Sequence, residues 1–154
     1  MPALFYTRHY GPDTIRRCVS GAVKTSWAKH FPTGCPPEDA KERKAHVFVL
    51  LKHDPPQDAD FRSHRDRDIW RPQPGDDPFD ACKGCGLSCS ATLEDARKMQ
   101  ALVPSLRKKL IAYGPPTPGV VRDTKGPIVG LPHMTWWIPT GSTPSGQFRM
   151  QGAT

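Results

Sequence analysis

Three cysteines fall within eight residues at Cys82-Lys-Gly-Cys85-Gly-Leu-Ser-Cys89, and that spacing suits a metal ion. Two thiolates at C-x2-C separation reach one ion from a single tight turn, and Gly84 and Gly86 tolerate the backbone such a turn needs. Cys89 follows near the start of a predicted helix, where the helix N-terminus favours a thiolate. The pattern predicts a closed, structural zinc knuckle of tetrahedral geometry, with one further ligand supplied from elsewhere. Cys35, in the turn-rich Thr33-Gly-Cys35-Pro-Pro, is the first candidate for that ligand; His133, His64 and Cys18 follow. Three other readings stay open. The triad suits an iron–sulfur cluster, Cys82 and Cys85 suit a redox pair, and a third reading makes the thiols inert and buried.

A second set of residues points to anions. The net charge of +7 is unevenly spread: residues 1–53 carry nine Lys/Arg against four Asp/Glu, and residues 81–125 carry eight against three. Between them, residues 54–80 carry four against eight. Two basic regions flanking an acidic one attract phosphate backbones or acidic proteins, and the acidic loop offers a dock for a basic protein. Arg16, Arg17, Lys24, Arg97, Lys108 and Lys109 lie off the apolar stripes of two predicted helices and are the candidate phosphate contacts. In His133-Met-Thr-Trp136-Trp137-Ile138, alternation puts His133, Thr135 and Trp137 on one strand face. Trp137 is the candidate platform on which a base stacks.

Enzyme motifs are weaker. His64, Asp66 and Asp68 suit a divalent ion for phosphodiester hydrolysis, as in a metal-dependent nuclease. No stretch matches H-E-x2-H, G-x-S-x-G, a P-loop or the zinc-deaminase pattern.

The elements that must position these residues follow from periodicity. Ile15, Cys18, Val19, Ala22, Val23 and Trp27 recur at helical intervals after Asp13-Thr14, and Pro32 ends that helix. Lys44–Lys52 encloses the continuous apolar run Val47-Phe-Val-Leu-Leu51, which predicts a central strand. Thr92-Leu-Glu94-Asp95 opens a second helix with Leu93, Ala96, Met99, Val103, Leu106 and Leu110 buried, and Pro104 must break it. Two short strands over 119–131 and a third over 133–138 complete the pattern. The fold class expected is therefore α+β: one small domain over 1–138 with two main helices, a short and mostly antiparallel sheet, and the cysteine knuckle. The long acidic loop at 54–80 belongs to it. Residues 139–154 read as a flexible Gly/Ser/Thr/Pro tail with Phe148 and Met150 as anchors.

The chain has 154 residues, 18 of them proline, and only 36% hydrophobic residues, so a metal clip would add to a modest core. No stretch approaches the roughly 20 apolar residues of a membrane span, and the start lacks a signal-peptide run. An odd count of five cysteines, three of them clustered, argues against a disulfide framework and for a cytoplasmic protein. The expectation is a small, basic, zinc-binding accessory protein that binds nucleic acid and catalyses nothing. A protein-binding modulator and a metal-dependent hydrolase are the alternatives.

Overall fold

The val-rich stretch at 47–51 forms the first strand of the computed structural model, which describes residues 26–67 and 78–152. Strand β1 (Val47–Leu51) pairs antiparallel with β3 (Leu110–Gly114), which pairs in turn with β6 (Arg149–Met150). A second antiparallel sheet has β5 (Met134–Trp137) between β2 (Leu87–Cys89) and β4 (Val120–Asp123). Among the described residues one backbone bridge joins the two sheets, where Phe48 and Ser90 exchange hydrogen bonds of 2.8 and 2.9 Å. Helix α1 (Pro78–Gly84) precedes β2, and α2 (Leu93–Leu102) follows it and packs over β1. The α+β class, the helix after Thr92 and the antiparallel pairing are as the sequence predicts; the helix expected after Asp13-Thr14 falls almost wholly outside the described residues, and α1 forms in place of the expected metal knuckle.

Alternation builds the core. Val47, Val49 and Leu51 point inward from β1, Met134 and Trp136 from β5, and Phe61 and Phe148 close the cluster. Trp136 is fully buried and stacks on Phe148 at 5.7 Å, while Phe61 meets its edge at 6.1 Å. A smaller cluster joins Cys82, Cys85 and Trp137 to Trp27, Phe31, Phe79 and Val120.

Three elements depart from expectation. The second helix ends at Leu102; Val103 caps it, and Pro104–Leu106 forms a single 3-10 turn. Pro104 therefore makes the predicted break, but Leu110 continues into a strand. Ile111 and Tyr113 are strand formers, and β1 needs a partner along its length. Within 119–131 only the first strand forms, since Ile128–Leu131 closes a turn. The segment expected as a flexible tail returns to the body instead. Phe148 is 5% exposed, and β6 pairs Met150 with Ala112 and Arg149 with Tyr113.

Candidate nucleic-acid interface and basic cavity

The cysteines do not assemble as a knuckle. Cys35 and Cys82 are joined in a disulfide, and a sulfur in that bond is not a thiolate ligand. Residues 78–84 are helical rather than a knuckle turn, and Gly84 and Gly86 lie at or just beyond the helix end. Cys85 is free and buried, and its Sγ lies toward the Ala81 carbonyl at 3.5 Å. Cys89 points into the main core from β2, away from α1. Among the described residues no group of three or more His, Cys, Asp or Glu side chains is placed to hold a metal ion. The structure thus gives the zinc knuckle no support. Burial pushes the Cys85 thiol up to about 11 and Cys89 to about 12, so neither is a nucleophile at neutral pH.

Trp137 is likewise not a platform. It is fully buried beneath α1, and its indole N–H donates to the Cys82 carbonyl at 2.9 Å. The predicted alternation holds, but a helix covers the end of the face that carries Trp137. Arg16, Arg17, Lys24 and Cys18 lie outside the described residues, as does Asp68. Arg97 and Lys108 are exposed, and Lys109 is half-buried at the rim of a cavity. Three carboxylates of the acidic loop, Asp60, Asp66 and Asp80, turn onto the chain itself. Asp60 accepts from the Lys52 and Gln57 N–H groups and meets His53 Nδ1 at 2.9 Å. Asp66 accepts from the Ser63 N–H and lies 3.3 Å from His30 Nε2, while Asp80 pairs with Lys83 at 2.8 Å.

The aromatic surface lies on the other sheet. Phe48 and Tyr113 are cross-strand partners, so their side chains share one face of β1–β3. Their rings lie 6.1 Å apart, and His46 adds a third ring 5.8 Å from Tyr113. Inner-facing Val47 and Val49 are buried, whereas Phe48 and Tyr113 are half-buried and His46 is exposed. Arg149 is the cross-strand neighbour of Tyr113 on β6 and is exposed, as is Lys44, three residues before β1. Sequence reading missed this row because Phe48 sits inside an uninterrupted apolar run and Tyr113 inside a helical one. The polar residue at His46 is the signal that marks the outward register.

Beyond Phe48 the same face dips into a cavity of about 390 Å³ between α2, residues 62–67 and the end of α1. Arg62, His64, Arg67, Lys83, Lys109 and His133 line it, and among the described residues no carboxylate does. Partial burial and the charges of Arg67 and Lys109 hold His64 below its ordinary pKa. Burial together with Arg67 lowers Lys109 as well. Comparison with protein-family models, curated proteins and solved structures finds no match for this chain.

Proposed function

We propose that this domain binds single-stranded nucleic acid without catalysis, using the outer face of β1 and β3. One observation carries the reading: the row of His46, Tyr113 and Phe48, half-open to solvent, with Arg149 beside it. Every base has a π-face, so a row of rings on a rigid sheet holds bases without needing their sequence. The neighbouring cations meet the phosphates, and the net charge of +7 favours approach of a polyanion. The carboxylates of Asp60, Asp66 and Asp80 are occupied within the chain, which lessens their repulsion of that polyanion.

The test is anisotropy of a labelled oligothymidine at low salt. Tyr113→Ala should weaken binding by about 1–3 kcal/mol, and Tyr113→Phe should retain most of it. Absence of binding, or binding that Tyr113→Ala and Phe48→Ala both leave unchanged, rules the reading out.

A further inference from the structure

The cavity is formed by a parting of the two sheets. β1 and β2 run antiparallel from the Phe48–Ser90 bridge, so Leu50 and Ser88 are the next pair in register. Backbone groups on an antiparallel strand alternate sides, and those of Phe48 and Ser90 face each other. The N–H and C=O of Leu50 and Ser88 therefore face the gap, yet no backbone hydrogen bond joins them. Both residues line the cavity. Its floor thus offers peptide donors and acceptors that the sheet leaves unused.

His133 is the second observation. It is 9% exposed and lines the cavity at the edge of the floor. Its Nδ1 meets Thr124 Oγ1 at 2.9 Å, and that hydroxyl meets Thr135 Oγ1 at 2.8 Å. Nε2 is then the ring nitrogen left for a ligand. Gly126 packs against the ring so closely that a Cβ there would sit 2.8 Å from Cδ2, which fixes the ring's orientation.

The charges set the sign of the ligand. Lys83 is neutralised by Asp80, but among the described residues no carboxylate forms an ion pair with Arg62, Arg67 or Lys109, although the charge of Asp60 reaches Lys109. Arg67 donates from Nε and Nη2 to the Arg62 carbonyl, at 3.2 and 3.1 Å, which ties two of these residues together. Three such cations suit a dianion better than a monoanion. Phe48, Met99, Val103 and Leu106 form an apolar wall beside them, and the volume is that of a small-molecule site.

We propose that this cavity binds a small organic phosphate, its head on Arg62, Arg67 and Lys109 and its apolar body against Phe48, Met99 and Val103. Nucleic-acid binding is a separate property, since the ring row and the cavity share only Phe48.

Calorimetric titration with hexyl phosphate, hexanoate, inorganic phosphate and 1-hexanol tests the proposal. Hexyl phosphate should bind about tenfold or more tighter than hexanoate or inorganic phosphate, and 1-hexanol should give no heat. Arg67→Gln with Lys109→Gln should weaken hexyl phosphate by about tenfold or more, while Tyr113→Ala leaves it unchanged. Amide resonances of Leu50 and Ser88 should shift on titration. Hexyl phosphate binding no tighter than inorganic phosphate, or binding unmoved by the Arg67 and Lys109 variants, overturns the proposal whatever the outcome with oligothymidine.

Discussion

His133 shows how one side chain records its surroundings. Burial lowers its pKa, the Thr124 contact works the other way, and the nearby Lys83 charge adds to the lowering. A histidine whose folded pKa lies below its unfolded value costs nothing while both states are neutral. As pH falls through about 6.5 the unfolded state takes up a proton that the folded state resists, so stability declines. His133→Asn should therefore lose less stability than the parent between pH 7 and pH 5 in thermal melts. An unchanged pH dependence would show that His133 titrates alike in both states. Asp60 acts at lower pH and with the opposite chemistry. Burial opposes its charge, but hydrogen bonds from Gln57, His53 and Lys52 outweigh that and hold the carboxyl below its ordinary range. Its contribution persists through the His133 window and is lost only in stronger acid, so the two are separable.

At the scale of elements, the Cys35–Cys82 disulfide fastens residues 26–40 to α1 across 47 positions of chain. Among the described residues Trp27, Phe31, Cys35 and Ala40, all partly buried, anchor that segment to the smaller cluster, so the cross-link matters more than it would in the main core. Cys35→Ser with Cys82→Ser should lower unfolding free energy by about 2–4 kcal/mol in urea and speed amide exchange in residues 26–40. Equal stability of parent and variant would remove the disulfide from the account. One zinc per chain in elemental analysis would make the two sulfurs ligands rather than a bond. Much of the element pattern was legible. Val47–Leu51, Thr92 as the cap of α2, Pro104 as its break and the alternation from His133 to Ile138 all follow from local rules. What was illegible depends on partners distant in sequence. Leu110–Gly114 reads as helix until β1 needs an edge, Cys82 reads as a ligand until Cys35 reaches it, and Trp137 reads as a platform until α1 covers it. The aromatic row was hidden for the same reason: Phe48 and Tyr113 meet only through a pairing between residues 65 apart.

Taken over the whole molecule, the cations and rings make separable contributions, and salt distinguishes them. Arg149 stands opposite Tyr113 near one end of β3, and Lys108 and Lys109 precede its other end at Leu110. A five-residue strand advances about 13 Å between its first and last Cα, room for a short run of nucleotides laid along it. A cation that meets a phosphate releases condensed counterions. Each such contact on a single strand contributes about 0.7 to the slope of log affinity against log salt. Arg149→Ala and Lys108→Ala should each flatten the slope by about that amount for oligothymidine, and together by their sum. Stacking releases no counterions, so Tyr113→Ala should lower affinity at every salt concentration and leave the slope intact. Arg97, on the exposed side of α2, lies away from β3 in the chain and serves as a control whose removal should change the slope less. A slope that responds to Arg97→Ala as strongly as to Arg149→Ala would mean that the polyanion is held by overall charge rather than along β3. The sheet face would then have no special part in binding.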